Sequence, residues 1–386
     1  MFLVLLAYLA FFSIALPDSM LGVAWPTMRI DFGQPISAAG LVPPFGVAAT
    51  LVATSLTGRL LARFGVGRLL AASTLLSTAS LVVAATSHSF AQFLASAVLA
   101  GLSGGAIDAA LNAYAARWFG PRRISLLHAS YVLGAAASPL LVTATVQAGL
   151  GWRWAWAVVA GVQAVLCGVF LLTRHRWTSG DRPASAGGGA GRGLAGARPL
   201  DVGLGLLAVA VQTGIESSVA LWAFTALTQS AGVSVVVAGT IASGYWVAIF
   251  VGRVVLGWVA ERTGPWLVMG GGVVGLLGAA GLGLLGGPVA APIAIGLFGL
   301  AAAPVYPLLT LTTAERTSEA AADTVVGFQA AASSLGAAVF PLLVGIALDR
   351  SASGFALAMA GLCIGAALLQ AGLQLRRRAR RVAGTS

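Results

Sequence analysis

Asp108 and Asn112 stand one helical turn apart in "GLSGGAIDAALNAY" (101–114), inside an apolar run from about Phe90 to Ala116. Asn112 is the only asparagine in the chain. At i and i+4 on a helix their side chains share a face. Two further acids sit in similar surroundings, Asp18 in "LPDSMLG" and Glu216 in "GIESSVALW". An ionised acid at the centre of a bilayer costs about 2.5–3.5 kcal/mol. It is tolerated where it faces water, finds a partner or stays protonated. A carboxyl in a low-dielectric setting holds its proton nearer to neutral pH. Reached alternately from the two sides of a membrane, it carries protons across. Asp18, Asp108 and Glu216 are therefore the candidates for proton coupling. The competing reading is an acid that only ties two helices together by hydrogen bonds. Asn112 offers a donor pair and an acceptor, suited to a hydroxylated solute or to holding the proton of Asp108.

Gly101, Gly104 and Gly105 precede this pair and predict close approach of a neighbouring helix. Tyr114 falls on another face. Gln212, Trp222, Tyr245, Trp246 and Gln329 join Asn112 as candidates for substrate binding, since aromatic rings stack on the apolar face of a sugar. For Tyr245 and Trp246, packing or anchoring at the membrane interface is an equal alternative. His128 reads as a structural hydrogen-bond donor. Arg253 reads as reaching toward the cytoplasm, or pairing with acids in a loop, and not as touching substrate.

These residues need helices that cross a bilayer. Of 386 residues, 58% are hydrophobic and 9% charged. Soluble domains carry about 25% charged residues, so the chain is an all-α, multi-pass membrane protein with the lipid bilayer as its surroundings. All 22 basic residues are arginine. With no lysine there is no P-loop. The net charge of +11 does not indicate a nucleic-acid partner, because the arginines are spread over segment ends and the tail. No Cys/His cluster, H-E-x-x-H motif or Ser/His/acid order is present, so an enzyme, a metal site and a bound cofactor are not expected. The coupling ion is a proton, with sodium as the alternative. Cys167 and Cys363 lie in apolar segments and read as packing residues. "GLGLLG" (281–286) fits G-x-G-x-x-G but lies inside an apolar helix with no strand before it, so it is assigned to helix packing.

At roughly 20 residues per crossing the chain holds twelve spans: 3–28, 38–61, 68–86, 90–116, 125–150, 153–172, 201–228, 233–260, 266–286, 288–312, 322–348 and 352–375. The start, "MFLVLLAYLAFFSIALP", reads as the first span and not as a signal peptide. Residues 173–200, rich in Gly, Ala and Arg, form a linker between an N-terminal bundle (1–172) and a C-terminal bundle (201–375). A basic tail (376–386) follows. Arginines cluster after the second and fourth spans, in the linker and in the tail, which places both termini and the linker in the cytoplasm.

The halves repeat. "LGAAASPLLV" (133–142) and "LGAAVFPLLV" (335–344) differ at two positions and are offset by 202 residues. "GRLLARFG" (58–65) matches "GWVAERTG" (257–264) at an offset of 199. Asp18-Ser19 matches Glu216-Ser217 at an offset of 198. Two pseudo-symmetric six-helix bundles are the plan of major facilitator transporters, and "GRLLARFGVGR" (58–68) resembles the cytoplasmic signature of that family. The resemblance implies a cytoplasmic gate at Gly58, Arg63, Gly65 and Arg68, repeated at Gly257, Glu261 and Arg262. Ala62 stands where the family usually has Asp, so the latch is assigned to Glu261 with Arg262. "DAALNAY" also resembles the acid and Asn-Pro-Tyr motif of the fucose:proton symporter family, with Ala113 in place of Pro, and Asp18 matches that family's first-helix Asp. "GIESSVALWAFTA" (214–226) is similar to the sodium-dependent glucose transporter-like branch. The resemblance implies proton-coupled symport of a sugar-like small solute by alternating access, the two halves rocking about a central cavity lined by Asp18, Asp108, Asn112 and Glu216. The alternatives are a proton-driven exporter of a drug or metabolite, a sodium-coupled sugar transporter and a non-transporting receptor. An inner-membrane monomer is expected.

Overall fold

Every backbone polar group inside a bilayer must be satisfied by the protein itself, and this chain answers with helices. The computed structural model describes residues 2–177, 194 and 196–383. Most of the predicted linker, 178–193 and 195, lies outside the described residues. The chain divides into two units, 1–186 and 187–386.

The first unit holds α1 (Phe2–Phe32), α2 (Val42–Ala85), α3 (Phe90–Trp118), α4 (Pro121–Gln147) and α5 (Trp152–Thr173). The second holds α6 (Pro199–Thr225), α7 (Val235–Thr263), α8 (Pro265–Leu285), α9 (Gly287–Ala302), α10 (Val305–Leu311), α11 (Thr313–Arg316), α12 (Ala322–Arg350) and α13 (Gly354–Ala383). Among the described residues, eleven helical segments are long and apolar enough to cross a membrane. One of them counts twice. A straight helix with the 44 residues of α2 would run about 66 Å, against a hydrocarbon core of about 30 Å. Gly65, at φ 74 and ψ 166, breaks it into two crossings. The total is twelve crossings. Near the other end of the chain, α9 and α10 form a single crossing, interrupted at Ala303 and Pro304.

Gly65 occupies a backbone region essentially closed to other residues, where strain costs about 1–3 kcal/mol. Gly65→Ala should lower stability by about that amount, read as a drop in the thermal midpoint of the detergent-solubilised protein. Gly58→Ala, at a helical glycine with open space around it, is the control and should leave the midpoint unchanged or slightly higher, since Ala favours the helix over Gly.

Each unit has its own core. Leu70, Ile107, Leu111, Leu127, Phe170 and Trp177 are buried together in the first. Trp177 packs edge-on against Tyr114 at 4.8 Å between ring centroids. Val209, Met269, Val305 and Leu309 form the corresponding cluster in the second. Cys167 and Cys363 are both buried and free, as packing residues would be.

The repeat read from the sequence reappears in the helix seams. Gly134 of α4 lies against the carbonyl of Phe12 in α1, so close that a Cβ would fall 2.1 Å from the oxygen. Gly336 of α12 lies against the carbonyl of Ala210 in α6 in the same way, again at 2.1 Å. The two partner pairs carry the offsets of the sequence match, 202 and 198. "GLGLLG" ends α8, and Gly286 and Gly287, both at positive φ, turn the chain into α9.

Candidate functional site

In the first unit α1, α3 and α4 bring together polar groups that the sequence scatters over more than 100 residues. The Tyr131 hydroxyl of α4 donates a hydrogen bond to the Asp18 carboxylate of α1. On α3, Asn112 Nδ2 donates to Asp108 Oδ1 at 3.0 Å, the i to i+4 contact the spacing predicts. His128 lies within electrostatic reach of Asp108, and its ring meets Phe11 of α1 edge-on at 5.6 Å. His128 and Tyr131, three residues apart, share a face of α4, so one helix face addresses both acids. Asp18, Asp108 and His128 are exposed, and Asn112 and Tyr131 are half-buried.

The scaffold behind this face is tightly built. Gly101 and Gly105 press against the backbone of α2 at Gly46 and Thr50, and Thr50 Oγ1 donates to the Gly101 carbonyl at 3.1 Å. Gly104, expected to share this role, faces open space. It lies off the stripe that Gly101 and Gly105 form at i and i+4. Ser19, next to Asp18, bonds the Ala135 carbonyl at 2.7 Å and the Ser138 hydroxyl at 2.9 Å, which fixes the register of α1 on α4. Tyr114 is buried, on a different face of α3 from the exposed Asp108.

In the second unit Glu216 of α6 is 16% exposed at its side chain. Gln212 Nε2, one turn earlier, donates to Glu216 Oε1 at 3.1 Å and to the Ala302 carbonyl at 3.1 Å. That carbonyl lies at the end of α9, where the crossing is interrupted. The Tyr245 hydroxyl donates to the Glu216 backbone carbonyl at 2.9 Å. Arg253 of α7 approaches the Glu216 carboxylate at 3.6 Å. This corrects the sequence expectation for Arg253. Its acidic partner is the intramembrane Glu216 and not a loop acid, because α7 sets Arg253 against α6 at that level.

Several predicted substrate contacts are placed otherwise. Trp222 has no exposed surface, and its indole donates to the Pro341 carbonyl at 2.7 Å, so it locks α6 to α12. Gln329 is buried and accepts from Thr313 Oγ1 at 3.1 Å. It belongs to a polar cluster around Arg316 that also holds Thr312, Thr313 and the Leu309 carbonyl. Burial pulls the pKa of Arg316 down to about 10, against the attraction of Asp201 and Glu315. Gln212 and Tyr245 are buried, and Trp246, edge-on to Tyr245 at 5.7 Å, is half-buried. Of the predicted binding set, Gln212 and Tyr245 come to Glu216, while Trp222 and Gln329 are used in packing.

Gly58, Arg63, Arg68, Glu261 and Arg262 are exposed, and Gly65 and Gly257 half-exposed. Arg262 stacks on the Trp258 ring at 3.4 Å and Arg63 on Phe64 at 5.4 Å. Glu261 makes no salt bridge among the described residues. The basic tail continues the helix of the last crossing. Helix α13 extends into it as far as Ala383, Arg376 pairs with the buried Asp201, and Arg377 lies 3.5 Å from Glu315 and over the Trp266 ring.

Sequence reasoning missed Tyr131, and the spacing from His128 was the available signal. It misassigned Arg253, whose place deep in an apolar span was the clue.

The model of the Major Facilitator Superfamily matches residues 7–341. No curated protein matches the chain in sequence. Among solved structures, a mutant of the nucleoside transporter NupG superposes with a TM-score of 0.79 at 14% identity, covering 95% of this chain and 98% of its own. A bacterial homolog to the human lysosomal transporter Spinster superposes with a TM-score of 0.79 at 15% identity, covering 98% and 96%. A mutant of the peptide transporter POT reaches 0.77 at 13% identity, covering 96% and 93%. At such identities the likeness is one of fold.

Proposed function

This chain belongs to the Major Facilitator Superfamily, and from that premise we propose that it is a secondary active transporter that couples proton entry to symport of a sugar-like small solute by alternating access. It is a membrane transport protein and not an enzyme. The observation that carries the finer reading is the polar face of the first unit, where Asp18 with Tyr131 and Asp108 with Asn112 and His128 stand among apolar helices. An acid there, exposed on its helix surface, can take up and release a proton. The hydroxyl, amide and imidazole around it are hydrogen-bonding groups that match a polyhydroxylated solute. The short motifs shared with the fucose:proton symporter branch favour a sugar. The arginine distribution favours an inner-membrane protein with cytoplasmic termini, and one chain contains the whole proposed machinery.

The test is uptake into proteoliposomes of the purified protein from a panel of labelled sugars and polyols, with and without an imposed pH gradient. At least one member should accumulate when the outside is acidic and only equilibrate when the gradient is collapsed by an uncoupler. Accumulation that follows sodium and ignores pH would replace the proton by sodium. Uptake of no member of the panel would remove the sugar reading.

A further inference from the structure

Arg253 carries a permanent positive charge in the interior of α7, two turns or more from either end, with its side chain 43% exposed. Its approach to Glu216 at 3.6 Å is longer than a hydrogen bond, and Arg253 forms no hydrogen bond among the described residues. A well-made arginine–carboxylate pair is bidentate, at about 2.7–2.9 Å. The Glu216 carboxylate is meanwhile held from the other side by Gln212. Most of the five guanidinium donors are therefore unspent, in a span where charged and polar groups are expensive to leave without partners. On the same carboxylate, Gln212 keeps a buried Oε1 that has no donor among the described residues. The site thus offers a loosely paired cation with unspent donors and one buried acceptor.

We propose that Arg253 is the specificity-determining residue of the second unit and that the transported solute is a hydroxylated monocarboxylate, an acidic sugar whose carboxylate docks on Arg253 while a hydroxyl donates to Gln212 Oε1. The inference rests on the sugar-like reading above and narrows it. A neutral sugar brings no charge with which to displace Glu216 from the guanidinium. A phosphate dianion needs a second cation, and among the described residues Arg253 is the only arginine in the interior of the crossings of the second unit. Glu216 is the intramolecular competitor, holding Arg253 loosely enough to be replaced by the solute's carboxylate. One proton moving with one monoanion carries no net charge, so transport should respond to a pH gradient and ignore membrane potential.

The experiment uses proteoliposomes of the full chain with labelled D-gluconate and D-glucose as probes. Gluconate should accumulate under a pH gradient and glucose should enter at least tenfold more slowly. A potential imposed without a pH gradient should leave gluconate uptake unchanged. Arg253→Gln should reduce gluconate uptake at least tenfold, Arg253→Lys should restore part of it, and Glu216→Gln should tighten gluconate binding several-fold. Protection of the wild-type protein against heat by gluconate but not glucose tests the same point without a variant, should Arg253→Gln not fold. If glucose is carried as well as gluconate, or Arg253→Gln leaves gluconate uptake intact, the anion assignment is overturned and the sugar-like reading stands. If neither probe is carried or protects, both are overturned.

Discussion

Proteoliposomes of Asp108→Asn should exchange solute across the membrane at near wild-type rates yet fail to concentrate it. Asparagine imitates the protonated carboxyl in shape and charge, and the contact with Asn112 at 3.0 Å survives as an amide–amide bond. What is lost is the ability to release a proton. A proton moving down 100 mV supplies about 2.3 kcal/mol, and each pH unit adds about 1.36 kcal/mol. For a neutral solute the two together support accumulation of several hundredfold. For a monocarboxylate the electrical part cancels, leaving about tenfold per pH unit. In either case the variant should stop at equality of inside and outside concentrations. Asp18→Asn keeps an acceptor for the Tyr131 hydroxyl and gives the same phenotype if Asp18 is the carrier, so the pair assigns the role. Asn112→Ala should raise the concentration needed for half-maximal uptake while leaving the pH dependence in place. Should both aspartate variants still concentrate solute, these acids do not couple transport, and Glu216 or a sodium ion takes their place.

Gly134→Leu and Gly336→Leu should each destabilise the protein severely, and by similar amounts. A Cβ at either position would fall 2.1 Å from a backbone carbonyl oxygen, that of Phe12 or Ala210. No side chain can turn aside there, so the helices themselves must separate. Overpacking costs typically 1–3 kcal/mol, and a clash with backbone belongs at about the upper end of that range or beyond. Separation of α1 from α4 would also part Ser19 from Ala135 and Ser138, and Asp18 from Tyr131. Gly134→Leu should therefore lose transport even in the fraction that survives purification. Gly104→Leu, with open space at the Cβ position, is the matched control. Thermal midpoints in detergent decide the matter: equal values for the Gly104 and Gly134 variants would show that the seam yields.

Length and apolar composition determined the crossings. A run of about 20 apolar residues has one stable form in lipid, the helix, so the number of spans was readable from residue order, including the break between the second and third at Gly65. The internal repeat was readable too, because a duplicated bundle needs the same glycine at the same seam, and Gly134 and Gly336 keep that place. The three intramembrane acids stood out because a carboxylate in an apolar run carries a cost that composition exposes.

Partner choice was not readable. Helical spacing decides which residues share a face, so Asp108 met Asn112 as expected, but it does not decide which helix that face meets. Asp18 found Tyr131 across 113 residues, and Glu216 found Arg253, only because α1 crosses α4 and α6 crosses α7 at those levels. The same crossings buried Trp222 and Gln329, which a linear reading had placed at the solute. Burial is a property of two packed surfaces, and one strand of sequence contains only half of each.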